Sequence, residues 1–431
     1  MEVVNIGIIG FGTVGSGVVK LLKKNASLIK KRTGMEIKIK KIADLDTERD
    51  RDIKVDRKII TEYAEEIIHD VHIQIVVELI GGIHPAKDYI IESLKRGKAV
   101  VTANKALLAE AGEEIFRVAV ENNQDIYFEA SVCGGVPVIK TIREGTIANR
   151  IRYLSGIING TANYILSKMD GEGLTFKDAL EDAQKRGFAE ADPALDIEGI
   201  DSAHKLIILG SLIFGIPLKL NDVYVEGISS LSPLDLRFAQ EFGYTVKLLA
   251  VAKEVSRKLQ FRVHPALINR NHPLASVKEV YNAVYMEGDA IGKLLLYGKG
   301  AGQMPTASAV VTDIVDIMRN LRFKMPQRIP PITYSAKKRC DITPMDSLRC
   351  AFYLRIMAVD KPGVLAQISR ILGEHNISIA SVVQKDRRKH GAVPIVMMTH
   401  EAVEKDTTSA IRKIDNLSVV REKTVRIRVE E

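Results

Sequence analysis

The sequence predicts an α/β protein: a Rossmann-type, doubly wound nucleotide domain, then a second α/β domain, then a C-terminal ferredoxin-like module. Three observations carry that reading. An apolar run, Val3 to Ile9, stops at Gly10-Phe11-Gly12-Thr13-Val14-Gly15 and gives way to a helical pattern. Apolar strands then alternate with helices as far as Thr102, the pattern of a parallel sheet. Finally, the last ~80 residues, enough for a small domain, follow a β-α-β-β-α-β order.

Each element has its own local reason. Val14, Val18, Leu21 and Leu22 share one face of the first helix, with Lys20, Lys23 and Lys24 opposite. Ile37 to Ala43, Ile73 to Leu79 and Ala99 to Thr102 are strands, with a helix over Asp88 to Arg96. After Val136-Pro137 the texture changes to helices such as Phe176 to Arg186 and Asp201 to Phe214. These mix with strand-like Lys247 to Ala252 and Leu259 to Val263. Gly298-Lys299-Gly300-Ala301-Gly302 opens a long apolar helix, Thr306 to Met318. Pro326, Pro330, Pro331, Lys337, Lys338 and Arg339 then have linker chemistry. Beyond them come a strand (Phe352 to Val359), a Lys-Pro-Gly turn, a helix (Val364 to Glu374) and a strand (Ile377 to Val383). Pro394 to Met398, Glu404 to Ile414 and Ser418 to Val429 complete the module as strand, helix and strand. The implied boundaries are 1–133 for the nucleotide domain, 134–299 for the second domain, a linker over 323–350, and 351–431 for the last module. A truncation near Lys338 is therefore expected to leave a soluble, active body.

Composition removes several function classes. Among 431 residues, 46% are hydrophobic and 27% charged, which excludes disordered and low-complexity chains. No apolar run approaches the ~20 residues of a membrane span, and the first strand meets glycine too early for a signal peptide. Cys133, Cys340 and Cys350 are an odd set without C-x-x-C spacing, against a disulfide framework or zinc cage. A soluble, cytoplasmic protein is expected, with no membrane partner. The net charge of +8 comes from 62 bases mixed among 54 acids, and there is no tryptophan. Lys385 to His390, the densest basic run, suits a solvated turn, so nucleic acid is not an expected partner.

The chemistry concentrates at a few places. Gly10, Gly12 and Gly15 permit a tight turn, approach of a pyrophosphate and close helix packing, while the helix N-terminus supplies N–H groups for the anion. Phe11, Thr13 and Val14 complete that cofactor loop. Asp44 ends the second strand, where an acid accepts from the adenosine ribose; it lies 34 residues after Gly10, with Ser27 to Met35 as an insertion that accounts for the distance. Arg49 and Arg51 follow closely and suit a 2′-phosphate, leaving NAD and NADP both open. Thr102-Ala103-Asn104-Lys105 leaves the carboxyl end of a strand, which aims Lys105 at the nicotinamide. Asp201 and Lys205 stand four apart on a helix continued by Leu206-Ile207-Ile208-Leu209, so that helix is mostly buried and its lysine must be paired or perturbed, as acid-base lysines are. Cys133 has no local base and reads as a packed thiol.

Together these segments resemble homoserine dehydrogenase in its long form with a C-terminal ACT domain. The resemblance rests on G-F-G-T-V-G, V-E-L-I-G-G, T-A-N-K, E-A-S-V-C-G-G-V-P, I-N-G-T-A-N-Y-I-L, G-F-A-E-A-D-P, D-I-E-G-I-D-S-A-H-K and G-A-G-Q-M-P-T-A-S-A-V-V, in that order. It implies NAD(P)-dependent interconversion of L-homoserine and L-aspartate 4-semialdehyde, in threonine, methionine and isoleucine biosynthesis; it also implies that 134–299 is a substrate-binding and dimerisation domain and that about 300–322 return to the nucleotide domain. Lys205 and Lys105 carry over as acid-base and positioning lysines, with Glu190, Asp201 and Gly187 at the substrate. Thr102, Lys105, Gly187 and Gly302 join the cofactor set. A monovalent cation, Na⁺ or K⁺, is implied at Glu129 and the carbonyls of Val132, Gly134 and Val136. Asn159-Gly160-Thr161-Ala162-Asn163 resembles the family's substrate-domain loop and suits a helix cap near the cleft. Asp360 to Val364 resembles the ACT strand-helix junction, which implies a homo-oligomer (dimer or tetramer) and an amino-acid effector such as L-threonine. Two other readings are another ACT-bearing hydroxyacid dehydrogenase, for which no histidine-carboxylate context occurs, and a nucleotide-binding amino-acid sensor without catalysis.

Overall fold

A computed structural model describes residues 2–332, 334, 341–385 and 391–430. Cys340, the linker bases Lys337, Lys338 and Arg339, and Asp386 to His390 lie outside the described residues. The chain opens with β1 (Val3–Ile9), α1 (Thr13–Thr33), β2 (Glu36–Ala43), β3 (Ile60–Thr61), α2 (Glu65–Ile68) and β4 (Ile75–Glu78). There follow α3 (Ala86–Lys95), β5 (Ala99–Thr102), α4 (Lys105–Glu121), β6 (Ile126–Tyr127), α5 (Val138–Lys140) and β7 (Ile151–Ile157). Next come α6 (Gly160–Glu172), α7 (Phe176–Lys185), α8 (Ala194–Ile197), α9 (Ile200–Phe214), β8 (Tyr224–Val225) and α10 (Pro233–Glu241). The hairpin β9 (Tyr244–Val255) and β10 (Lys258–Asn269) leads to β11 (Tyr281–Gly288), β12 (Gly292–Lys299) and α11 (Gln303–Arg322). The C-terminal part holds β13 (Arg349–Cys350), β14 (Phe352–Val359), α12 (Val364–Glu374), β15 (Ile379–Val383), β16 (Ala392–Thr399), β17 (Ala402–Val403), α13 (Glu404–Asp415) and β18 (Val425–Glu430).

Two compact units result. The first comprises Met1–Gly160, Asp201–Val223 and Val280–Arg339. Its parallel sheet runs β3-β2-β1-β4-β5-β6, so the strand order reverses between β1 and β4, and their carboxyl ends flank the crevice where ligands of such sheets sit. Val76, Val77, Val100 and Val101 are buried on a sheet covered on both faces, as β-branched central strands should be. α11 belongs to the same core: Val310, Ile314 and Ile317 pack with Ile6, Ile8, Val18 and Val77. The expected insertion at Ser27 to Met35 takes a definite form. It is mostly the last turns of α1, a 21-residue helix closed by left-handed Gly34 at φ +73°. The same unit holds β11 between β12 and β7, all antiparallel.

The second unit comprises Thr161–Ile200, Tyr224–Glu279 and Cys340–Glu431. The two strand-like segments foreseen around Lys247 and Leu259 are one twelve-on-twelve hairpin, turning at Ser256 and Arg257, both with positive φ. The C-terminal module has the order β18-β14-β16-β15 around Phe352, Leu354, Ile356, Ile368, Met397 and Ile414. Its last strand starts at Val425 rather than Ser418, because Asp415 accepts from the Thr424 amide and hydroxyl and pins the turn. That strand also pairs in parallel with β10, Ala266 opposite Arg428 and Ile268 opposite Glu430. The module therefore shares backbone hydrogen bonds with β10 of its own unit.

Buried charge seals the joint. Arg262 donates to Glu430 at 2.9 and 2.6 Å, and Arg428, fully buried, reaches both oxygens of Glu404 and the carboxylate of Glu226. Arg355 and Tyr353 converge on Asp235. Burial opposes ionisation of Glu430, but Arg262 and the His264 ring outweigh it and hold its carboxyl down to about 2. A depressed carboxyl stabilises the fold above its ordinary range, and that contribution is lost as pH falls from about 4.5 toward 2. Glu430→Ala leaves the Arg262 charge buried and unmatched, so unfolding should cost roughly 3–5 kcal/mol less. Urea unfolding measures this, with the Arg262→Ala/Glu430→Ala double variant recovering part of the loss. A change near zero would contradict the pairing.

Candidate active site

The glycine loop is a turn that only glycine tolerates at two points. Gly10 has φ +102°, and a Cβ on Gly15 would lie 2.1 Å from the Gly10 carbonyl oxygen. At Gly12 a Cβ would meet nothing within 4 Å, which leaves open space at the N-terminus of α1. That terminus has no side-chain cap and no acid in its first turn, so its N–H groups suit an external anion. Phe11, Thr13 and Val14 lie in the same turn. Gly302, φ +119°, caps α11 beside it, and Gln303 donates to the Ser16 hydroxyl, bringing two helix N-termini together. These features fit a dinucleotide pyrophosphate.

Asp44 reaches back to this loop and accepts from the Phe11 amide and the Asp46 amide. Arg51 pairs with Asp44 at 3.0 Å, donates to the Phe11 carbonyl and stacks over the Phe11 ring. The carboxyl end of β2 thus leads into an acid with an arginine already upon it. Arg49 contributes its carbonyl to Arg51.

A second network aims Lys105. Glu78, buried at the end of β4, accepts from the Thr102 hydroxyl at 2.6 Å and from the Ile80 and Gly81 amides; burial raises its carboxyl against these bonds. Thr102 in turn accepts from the Asn104 amide, and the Asn104 side chain caps α4 at Leu107 while holding the Gly82 carbonyl. Lys105, the first residue of α4, is left with a fixed backbone and a partly exposed side chain.

α4 and α9 lie side by side, Leu108, Gly112 and Phe116 facing Ile207, Ile208 and Ser211 across a small cavity. Lys105 therefore reaches Asp201 on the neighbouring helix, Nζ to Oδ1 at 3.0 Å. Lys205 donates to the other oxygen of Asp201 at 2.6 Å and to the Ile158 carbonyl at 2.7 Å. Asn159 donates to that same oxygen at 2.9 Å. Burial opposes the Asp201 charge, yet Lys205 and Lys105 outweigh it and keep the carboxyl well below the usual carboxylate range. The side chain of Lys205 is 11% exposed and that of Lys105 42%, so one cation is enclosed and the other meets solvent. His204, half-buried beside them, is driven toward its neutral form by burial.

Glu190 and Gly187 belong to the second unit. Glu190 has an exposed side chain and its carbonyl accepts from Gln184, while Gly187 ends the turn after α7 with φ +72°.

Glu129 is buried, and its two oxygens accept from the Ile139 and Lys140 amides at the start of α5. Burial raises its carboxyl to about 7 against those bonds. Cys133 and Gly134 follow with φ of +55° and +46°, and Gly134 packs on the Gly300 carbonyl. Val132 and Val136 are buried on either side. One hard carboxylate among backbone carbonyls fits a monovalent cation in donor chemistry. No cluster of three or more His, Cys, Asp or Glu suited to a metal occurs among the described residues. Cys133 is fully buried with its thiol pushed up to about 11 by burial, which makes it inert as a nucleophile.

Comparison with known proteins gives the same outline. Residues 10–129 match the homoserine dehydrogenase NAD-binding domain family, 137–315 the homoserine dehydrogenase family and 352–419 the ACT domain family. Homoserine dehydrogenase of Pseudomonas aeruginosa is 45% identical, covering 100% of both chains. That of Neisseria gonorrhoeae is 44% identical over 100% of this chain and 99% of its own. A crystal structure of homoserine dehydrogenase from Thiobacillus denitrificans superposes with a TM-score of 0.92 at 44% identity, covering 100% and 99% of the two chains. A hyperthermophilic archaeal homoserine dehydrogenase in complex with NADPH has a TM-score of 0.62 at 28% identity, covering 74% of this chain and 98% of that one.

The Asp44–Arg51 pair generates a prediction about cofactor choice. Asp44→Ala removes an acceptor for the ribose hydroxyls and a charge that repels a 2′-phosphate, and frees Arg51. The Michaelis constant for NAD should rise more than that for NADP. Equal changes in both would show that Asp44 does not face the ribose.

Proposed function

The chain belongs to the homoserine dehydrogenase family, and from that premise we propose that Lys205 and Lys105, joined through Asp201, carry the proton chemistry of the NAD(P)-dependent interconversion of L-homoserine and L-aspartate 4-semialdehyde. The observation that supports this most is the buried Asp201 carboxylate shared by both lysines. When bound, the dinucleotide supplies the redox chemistry. Lys205 protonates the semialdehyde oxygen as negative charge develops there, and takes the proton back from the homoserine hydroxyl in the opposite direction. Lys105 approaches the same oxygen from the mouth of the site and stabilises its charge electrostatically. Asp201, spent on two lysines, orders the site, and Glu190 is the acid for the substrate ammonium. The glycine turn at Gly10 to Gly15, with Thr102 and Gly302, takes the cofactor against its N–H groups, and Gly187 of the second unit carries over as a further cofactor residue.

The cation belongs to the same proposal. Glu129 with the carbonyls of Val132, Gly134 and Val136 would hold Na⁺ or K⁺ in a structural role, relieving a carboxylate that burial otherwise penalises. The exposed edge strand β12, bearing Leu295 and Tyr297, and the edge strand β15, bearing Val382, support a homo-oligomer, dimer or tetramer. We assign L-threonine to the ACT domain as effector, and the cytoplasm as location, where free thiols such as Cys133 stay reduced. No helix among the described residues is long and apolar enough to cross a membrane.

Nicotinamide absorbance with L-homoserine and either NAD⁺ or NADP⁺ tests the reading against a non-catalytic sensor, which would give no change. Lys205→Ala should lower kcat by ~10²-fold or more, the scale of a lost general acid, while cofactor binding survives. Near-normal turnover would make Lys205 a structural lysine. At constant ionic strength, Na⁺ or K⁺ should raise the melting temperature relative to tetramethylammonium, and Glu129→Gln should abolish that difference. The same melting temperature in all three salts would remove the cation from this segment.

A further inference from the structure

Asn159 stands where β7 ends and α6 begins, next to the residue whose carbonyl holds Lys205. The Ile158 carbonyl accepts from Lys205 at 2.7 Å, and one residue on the Asn159 amide donates to Asp201 Oδ2 at 2.9 Å. Lys205 itself donates to that Oδ2 at 2.6 Å, which closes a ring through a single peptide unit. Asn159, Asp201 and Lys205 are all buried, so water does not substitute easily for a lost member. The turn is held from behind: a Cβ on Gly160 would lie 2.9 Å from the Val280 carbonyl oxygen, so the backbone is packed tightly at this point.

We propose that Asn159 is a positioning residue for the reaction: its side-chain amide fixes the Asp201 carboxylate so that one oxygen serves Lys205 and the other Lys105. Without that donor, Asp201 is free to rotate toward either lysine, and the two ammonium groups lose their common reference. An amide is the group that does this at no electrostatic cost. A third cation here would compete with the lysines for Asp201, and a second acid would repel it. Among the described residues, Lys105, His204 and Cys133 interact electrostatically with Lys205 or Asp201, and Glu110 and Glu129 act in turn on His204 and Cys133.

This inference rests on the acid-base assignment of Lys205, and its test separates the two. Asn159→Ala should lower kcat about 10- to 100-fold, the scale of a misplaced catalytic group, with the dissociation constant of NADPH unchanged by fluorescence. Asn159→Asp keeps the shape and adds a negative charge that favours protonated Lys205. Its kcat–pH profile for homoserine oxidation should move to higher pH, where a base is required, and the profile of Asn159→Ala should not follow it. A merely structural Asn159 would alter the active fraction or the melting temperature of Asn159→Ala and leave its kcat per active site at the wild-type value. If Lys205→Ala is inactive while both Asn159 variants keep wild-type kcat and profile, the positioning role is wrong and the lysine assignment stands. If Lys205→Ala stays active, the lysine assignment itself falls, and Asn159 falls with it.

Discussion

A carboxylate taken out of water must be met by positive charge or by N–H donors, and the first unit is arranged around meeting that demand at Asp201. Its two oxygens receive Lys205, Lys105 and Asn159, contributed by α9, by the start of α4 and by the end of β7. None of these elements is near another in sequence. Bringing them together requires the α4–α9 contact, the β7 turn and the return of the chain along α11, which completes the nucleotide core. The same demand explains why the site carries two lysines instead of one: a lone buried pair leaves the second carboxylate oxygen unsatisfied.

The cofactor side follows a different rule. There the backbone does the work, through uncapped N–H groups at α1 and glycines at which side chains would collide or fill the cradle. Side chains join it at Asp44 and Arg51, which close on the Phe11 backbone, at Gln303 and Ser16, and along the chain Glu78–Thr102–Asn104 at the ends of β4 and β5. That chain links cofactor cradle to chemistry, because Asn104 caps the helix whose first residue is Lys105. In the T-A-N-K segment, Thr102 thus ties the Asn104 amide to Glu78, and Asn104 caps the helix that begins at Lys105.

Much of this was legible in the amino-acid order because its causes are local. The β1–glycine–α1 junction, the four-residue spacing of Asp201 and Lys205, and the helix Val364–Glu374 follow from patterns a few residues long. What stayed hidden is long-range. Asn159 meets Asp201 across 42 residues, Glu129 meets Asp313 across 184, and Arg262 meets Glu430 across 168. The loop segment Asn159 to Asn163 reads as a helix cap from its small polar residues, whereas the Asn159 side chain is spent on Asp201. No periodicity signals that β18 pairs with β10, since a parallel edge pairing leaves no mark on either strand's alternation. The proline-rich linker accordingly carries no sign of the buried ion pair that ties the C-terminal module to β10.

The most direct measurement of the central claim is chemical rescue of Lys205→Ala by small amines. Removing the lysine side chain leaves a buried gap beside Asp201 that an ammonium ion or methylamine can enter. Turnover of L-homoserine should rise with amine concentration and with amine basicity, while ethanol of similar size has no effect. Full turnover without any amine, or equal rescue by the neutral molecule, would contradict a lysine acid-base centre built on Asp201.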